Sequence, residues 1–312
     1  MLVSIVIPCY NSQDSIRKVV ELTMAEFEKI DGYEVDFFLV DDCSPDDTFG
    51  SIKQLAADYD CVHGYSLMRN FGQHNGLMCG LNHADGDLIM GMDDDLQTHP
   101  SQIPALLNTM ATGDYDVVYG VFKEHANGVI KNFTSWLNTV TARILLDRPK
   151  DIDSSNYWLI TSQLRDQVIQ YKNYNPYIQA LFGRMTKRIG NVEVEHHKRE
   201  QGSSNYTLGK LVKLWLSYFN YTVLPLRILS VIGVIAAIFG VLFAIFVVIH
   251  KILVPDTPAG WSSIICVLTF FFGLILLALG IIGEYLANLV LPANGTPQFI
   301  VRSATDDARP QD

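Results

Sequence analysis

Apolar positions in the first third of the chain come in short, nearly continuous runs separated by amphipathic stretches. Leu2-Val3-Ser4-Ile5-Val6-Ile7 is the first run, as expected of a parallel strand covered on both faces, and Pro8-Cys9-Tyr10-Asn11 ends it. Ser15 to about Ile30 has helical spacing, with Asp14 or Ser15 as N-cap. Val35 to Val40 reads as a strand, Phe49 to Tyr59 as a helix, Val62 to Met68 as a strand, His74 to Ala84 as a helix, and Asp87 to Gly91 as a buried strand. Strand and helix alternate at the spacing of βαβ units, so the pattern predicts an α/β domain built on a doubly wound, mostly parallel sheet. Ile103 to Met110 predicts another helix, Asp116 to Gly120 another strand, Val129 to Leu146 an amphipathic helix and Val192 to His197 a further strand.

The pattern then changes character. Leu208, Leu211, Val212, Trp215, Leu216 and Phe219 form an apolar stripe against Lys210 and Lys213, a basic amphipathic helix suited to a cytoplasmic membrane surface. Leu226 to Ile249 is apolar except for Arg227 and Ser230 at its entry; at about 1.5 Å per residue it is long enough to cross a hydrocarbon core of about 30 Å. Ile264 to Ile282 repeats this. Lys251, Asp256 and Trp261 lie between the two stretches, basic residues are denser before the first, and Arg302 and Arg309 follow the second. That bias puts both ends in the cytoplasm. The expected organisation is a cytoplasmic α/β domain over 1–207, a juxtamembrane helix over 208–224, a hairpin over 225–287 with spans at about 226–249 and 263–286, and a cytoplasmic tail over 288–312. Glu284, in Gly283-Glu284-Tyr285-Leu286, is either functional at that depth or a cap or ion pair at the interface.

Composition agrees. Of 312 residues 49% are hydrophobic and mean hydropathy is +0.17, high for a protein that never meets lipid. A net charge of -10 argues against a nucleic-acid binder. The five cysteines show no CxxC spacing and read as reduced, cytoplasmic thiols. The apolar run before Pro8 is short and lacks the basic start of a signal peptide.

Candidate chemistry gathers where strands end, because doubly wound sheets bind ligands outside the carboxyl ends of their strands. Asn11, Asp42 and Asp93 would meet there. Alternate side chains of a strand share a face, so Asp93 and Asp95 would point one way and Asp94 the other, with Gln97 keeping the parity if the backbone stays extended. Two carboxylates about 5 Å apart repel by roughly 3 kcal/mol at an effective dielectric of about 20, a cost that a divalent cation reverses. Oxygen-only ligands suit Mg²⁺ or Mn²⁺. A lone Asp-x-Asp is more often a solvated acidic turn; its company decides here.

Pro8-Cys9-Tyr10-Asn11, Asp41-Asp42-Cys43-Ser44-Pro45-Asp46, Arg69-Asn70-Phe71-Gly72-Gln73-His74-Asn75-Gly76-Leu77 and Asp93-Asp94-Asp95-Leu96-Gln97, in that order, resemble family 2 glycosyltransferases of the GT-A fold, and among them the polyprenyl-phosphate glycosyltransferases. The resemblance covers essentially the whole chain, hairpin included. It implies a metal-dependent, inverting transfer of a sugar from a nucleotide diphosphate donor, a UDP-sugar favoured, to undecaprenyl phosphate or a related polyprenyl phosphate. The setting it implies is the cytoplasmic face of a bacterial inner membrane, in cell-envelope glycan synthesis, by a homo-oligomer, a tetramer in the family. Pro8, Tyr10, Asn11, Asp42, Gln73 and Asp93 are implied on the donor side, with Tyr10 and Asp42 on the base and Asp93 against ribose and diphosphate. Asp93, Asp95 and Gln97 are implied as ligands of Mg²⁺ or Mn²⁺. Lys131, Ser135, Arg199 and Ser204 are implied at the acceptor phosphate, and catalytic roles fall on Asp95, Asp153 and Arg199.

The chain departs from that pattern at several places. Ser12 stands where the family commonly has Glu, and Asp94 where it usually has Ala. Lys131 replaces an Arg and Asn205 a Lys, and the family's Gly-Asp-Phe-Arg-Leu slot falls on either Asp153 or Asn156. Lys131 and Ser135, four apart on one helical face, also suit a plain amphipathic helix. Gly72 and Gly76 serve either tight turns and close packing or the donor. His196 and His197 alternate faces and read as structural. Two other functions fit parts of the pattern. A polysaccharide-extending family 2 transferase would carry a Gln-x-x-Arg-Trp motif, absent here, and a non-catalytic lipid-phosphate binder or flipping component would not need Asp95 and Gln97.

Overall fold

The computed structural model describes residues 1–122, 153–195 and 260–306, with isolated positions between 231 and 253. Lys131, Ser135, Arg199, Ser204, the predicted helix over 129–146 and the stretch 208–221 lie outside the described residues.

Four strands, β1 (Leu2–Cys9), β2 (Glu34–Asp41), β3 (Val62–Leu67) and β4 (Leu88–Gly91), are joined by α1 (Ile16–Phe27), α2 (Thr48–Asp58) and α3 (Gln73–His83). These fall within a few residues of the predicted elements. Next come α4 (Ile103–Thr112), β5 (Val117–Phe122), β6 (Trp158–Thr161), α5 (Ser162–Val168), α6 (Ile178–Met185), β7 (Ile189–Val194), α7 (Trp261–Ala293) and β8 (Val301–Ala304). The strands form one sheet in the order β7-β5-β6-β4-β1-β2-β3-β8. β1 lies inside it, parallel to β2 and β4, and β2 is parallel to β3. The sheet is mixed at its flanks, since β6 runs antiparallel between β4 and β5 and β8 antiparallel to β3.

The alternation of β1 decides what covers each face. Val3, Ile5, Ile7 and Cys9 enter the core with Ile16, Val19 and Val20 of α1 and Leu106 of α4. Val6 and Pro8 point to the other face, under α3. A Cβ at Gly80 would collide with Val6 Cγ1, and one at Gly76 would come within 3.3 Å of Pro8 Cβ. Glycines one turn apart thus let α3 lie directly on β1, and Gly76 serves close packing. Pro8, expected on the donor side, is buried beneath this helix; its position is set by packing.

Residues 295–306 add what the pattern along the chain did not predict. Gly295–Asp312 belongs to the same compact unit as Met1–Asn205, and β8 covers the edge of β3 that would otherwise stand open. The Thr305 hydroxyl accepts the Gly64 N–H at 2.8 Å, Thr305 N–H returns to Gly64 O at 2.9 Å, and Met68 N–H reaches Ile300 O at 2.9 Å. Asp306 meets His63 Nδ1 at 3.0 Å and accepts from the Tyr65 hydroxyl at 3.2 Å.

The second unit is Tyr206–Asn294. Its described helix, α7, runs unbroken for 33 residues and contains the predicted apolar stretch 264–282. Counting only described side chains, no helix is long and apolar enough to cross a membrane. Several of those side chains, among them Phe272, Leu279 and Leu289, are nonetheless exposed apolar groups.

The α3–β1 contact yields a test. Gly80→Ala should destabilise the protein by about 1–3 kcal/mol, the usual cost of an added group in a close-packed contact. Val6→Ala in the same chain should recover part of it. Thermal melts of the three variants in detergent check this; a Gly80→Ala melt equal to that of the parent would refute the contact.

Candidate active site

Three non-glycine residues among those described have a left-handed backbone: Asn11 (φ 58°), Cys43 (φ 56°) and Leu96 (φ 57°). They stand just past the carboxyl ends of β1, β2 and β4. Asn tolerates this conformation, whereas for Cys and Leu it costs about 1–3 kcal/mol. At Leu96 the cost is offset by burial: its side chain is 8% exposed and joins the core, worth roughly 1.5–3 kcal/mol. Burying Leu96 bends the chain and leaves Asp95 and Gln97 half-buried on either side. The extended backbone assumed for the Asp93–Gln97 parity is therefore wrong: strand geometry ends at Gly91, and Gln97 N–H closes a turn onto Asp95 Oδ1 at 3.1 Å.

Side chains knit the loops after β1 and β2 together. Ser12 N–H donates to Thr48 Oγ1 at 2.9 Å and Asn11 N–H to Ser44 Oγ at 3.2 Å. Asp41 accepts from Ser44 N–H at 2.9 Å and from the Ser66 hydroxyl at 3.0 Å. Asp42, 3% exposed, accepts the N–H groups of Phe71 and Gly72, both at 2.7 Å. Burial pushes its carboxyl above the usual range, against the lowering effect of those two bonds. Expected on the base, Asp42 here fixes the Arg69–Gly72 loop, and Gly72, at φ +93°, supplies a turn that a side chain would strain. Tyr10 lies at the rim, half exposed, with Asn11 beside it.

Asp93 sits between two amides. Gln73 Nε2, at the start of α3, donates to its Oδ1 at 2.7 Å, and Asn156 Nδ2 donates to its Oδ2 at 3.2 Å. The register explains the second contact. Gly91 pairs with Trp158 across the antiparallel β4–β6 ladder, so two residues forward on β4 meet two residues back on β6. Asn156, in the ambiguous segment, thus touches Asp93. Its Oδ1 in turn accepts from Gln179 Nε2 at 2.9 Å. Gln179, a buried amide on α6, carries no motif and was not predicted. Its signal in the sequence is a single polar residue in an apolar turn.

Among the described residues, no group of three or more His, Cys, Asp or Glu is placed to hold a metal ion. The expected set of Asp93, Asp95 and Gln97 holds only two carboxylates. His74, beside Gln73, packs edge-on against Tyr177 with ring centroids 4.9 Å apart. Its buried Nδ1 has no hydrogen-bond partner among the described residues, and burial lowers its pKa to about 4, so the ring is neutral at pH 7.

Residues 4–175, which hold every one of these strand-end loops, match glycosyl transferase family 2. The chain belongs to this family. It is a glycosyltransferase. The transferase is 29% identical over 319 residues to the undecaprenyl-phosphate 4-deoxy-4-formamido-L-arabinose transferase of Proteus mirabilis (strain HI4320), spanning 99% of this chain and 95% of that one. It is 31% identical over 313 residues to the protein of the same name from Sodalis glossinidius (strain morsitans), spanning 96% and 93%. Its fold is similar to that of glucosyl-3-phosphoglycerate synthase from Mycobacterium tuberculosis, solved with Mn²⁺, uridine-diphosphate-glucose and phosphoglyceric acid. The TM-score is 0.51 at 18% identity, over 71% of this chain and 78% of that one.

The neutral His74 gives this site a pH signature. Its folded pKa lies below the ordinary value, so its contribution is present above about pH 6.5 and is lost as pH falls toward 4. His74→Phe, which keeps a ring against Tyr177, should lose less stability over that window than the parent. Melting curves at several pH values measure it, and parallel profiles for the two proteins would contradict it.

Proposed function

We propose that this transferase moves a sugar from a nucleotide diphosphate donor, a UDP-sugar first, to undecaprenyl phosphate or a related polyprenyl phosphate, with inversion. The acceptor class rests on relatives that align over nearly their whole length and carry that substrate in their names. The observation that carries the donor side is the Asp93 carboxylate held between Gln73 and Asn156, next to a bend that leaves Asp95 and Gln97 half-buried.

Hard oxygen groups of this kind fit Mg²⁺ or Mn²⁺. Such ions are commonly held by one or two carboxylates plus substrate phosphates rather than by an all-protein cage, which agrees with there being, among the described residues, no cluster of three or more His, Cys, Asp or Glu placed for a metal. Asp95 and Gln97 would hold the ion with Asp93 beside them, and a bound cation would neutralise charge on the departing diphosphate. Tyr10, Asn11 and the loop fixed by Asp42 would receive the nucleotide. Lys131, Ser135, Arg199 and Ser204 would orient the acceptor phosphate. A phosphate monoester has a second pKa of about 6, so its oxygen is already a nucleophile at pH 7 and no side chain has to remove a proton. Asp153 would then act by positioning.

The membrane setting is part of the same reading. A helix of 33 residues measures about 50 Å at about 1.5 Å per residue, more than a bilayer core needs. Its exposed apolar side chains would be costly in water. With a second span over about 226–249, both ends and the catalytic domain would face the cytoplasm.

The test uses the full chain in detergent with undecaprenyl phosphate, MnCl₂ and a panel of nucleotide sugars, following lipid-linked product and nucleotide release. Product should form with one of the donors, EDTA should abolish it, and Asp95→Asn should do so without lowering the melting temperature. Turnover that persists in EDTA, or the absence of lipid product with every donor, would overturn the proposal.

A further inference from the structure

Asp94 is the acidic residue of the β4 loop that the proposed reaction leaves without a task. Its carboxylate turns away from Asp93. Oδ2 accepts the Ser12 hydroxyl in a short contact and the Tyr10 N–H at 3.4 Å, while Ser12 Oγ itself accepts the Tyr10 N–H at 2.9 Å. Ser12 is 2% exposed, and its own N–H is anchored to Thr48. Two residues of the β1 loop, Tyr10 and Ser12, are thus tied to one carboxylate more than eighty positions on in the sequence.

The place of this tie explains its use. The β1–β4 ladder ends at Val6 and Gly91, with one more bond from Met92 N–H to Val6 O at 3.3 Å. Beyond it the two chains part into loops, one carrying Tyr10 and the left-handed Asn11, the other Asp93 and Asp95. The Ser12–Asp94 contact bridges that gap. A carboxylate here has a cost, since it is largely withdrawn from water and has Asp95 nearby, a cost that hydrogen bonds from neutral donors offset. The serine hydroxyl and the Tyr10 amide are what it meets.

We propose that Asp94 is a positioning residue: by accepting the Ser12 hydroxyl and the Tyr10 N–H it holds the nucleotide-facing loop against the metal-facing one. The inference rests on the donor site proposed above.

The tie can be rebuilt from the other side, with the carboxylate on the β1 loop. The full chain in detergent is compared with Ser12→Glu, Asp94→Ala and the double variant, by calorimetric titration of UDP in MnCl₂, by melting temperature and by the KM for undecaprenyl phosphate. Asp94→Ala should weaken UDP binding about tenfold or more, the scale of a lost hydrogen bond to a charged group. Ser12→Glu should weaken it similarly by setting a second carboxylate against Asp94. The double variant should recover most of both losses in binding and in melting temperature, with the acceptor KM unchanged throughout. Losses that simply add in the double variant, or UDP binding by Asp94→Ala equal to the parent's, would overturn this role. If the parent fails to bind UDP with Mn²⁺, the donor assignment falls instead, and recovery of the melting temperature in the double variant still decides whether these two positions tie the loops together.

Discussion

The constraint on which this structure depends is the gathering of aspartates at the carboxyl edge of a sheet that must hold them before any ligand arrives. Asp41 closes β2, and Asp42, Asp46, Asp93, Asp94 and Asp95 lie in the loops that follow β2 and β4. The partners described for them are N–H and O–H groups: the Phe71 and Gly72 amides on Asp42, Thr48 on Asp46, Gln73 and Asn156 on Asp93, Ser12 on Asp94. Neutral donors satisfy the lone pairs of a carboxylate without cancelling its charge. The edge keeps its attraction for a cation while the loops stay fixed, a preorganisation that spares the site reorganisation when donor and metal bind.

That arrangement depends on the packing beneath it. Gln73 reaches Asp93 because it begins α3, and α3 lies low on β1 because Gly76 and Gly80 present no side chain to Pro8 and Val6. Asn156 reaches Asp93 from the opposite side because β6 runs antiparallel to β4 in a register fixed by Gly91 and Trp158. Where a side chain at Gly91 would stand, the Trp158 indole lies, so the same glycine that ends β4 admits the aromatic that sets the register. Left-handed residues at Asn11, Cys43 and Leu96 turn the chain at each of the three strand ends, and strain of this kind persists only where the surroundings over-determine it.

Much of this was legible in the sequence, for physical reasons. Buried parallel strands read as apolar runs and α1 to α4 as periodic stretches, so the half of the sheet from β4 to β3 and the acidic loops at its edge could be placed in advance. The remainder depended on partners far away along the chain. Tyr157-Trp158-Leu159-Ile160 is too short to be told from a buried helical turn by periodicity, and only its pairing with β4 brings Asn156 to Asp93. Val301–Ala304 has no strong pattern because it forms an edge strand, held by Gly64 and Met68 through backbone bonds that any sequence can make. The parity argument for Asp93 to Gln97 failed because burial of Leu96 outweighed extension of the backbone. It still separated Asp94 from Asp93 correctly, because Ser12 and Gln73 draw the two carboxylates apart.

The central claim is that these strand-end loops form one donor site organised around Asp93 and Asp95. Crystals or frozen-hydrated particles of the full chain with MnCl₂ and UDP test it most directly, through the manganese position. The ion is predicted about 2 Å from an Asp95 carboxylate oxygen, at a distance typical of hard cations and oxygen ligands, shared with the diphosphate, with the uracil on the Tyr10 side. Manganese bound away from the Asp93–Gln97 loop, or UDP seated elsewhere on the chain, would contradict the account.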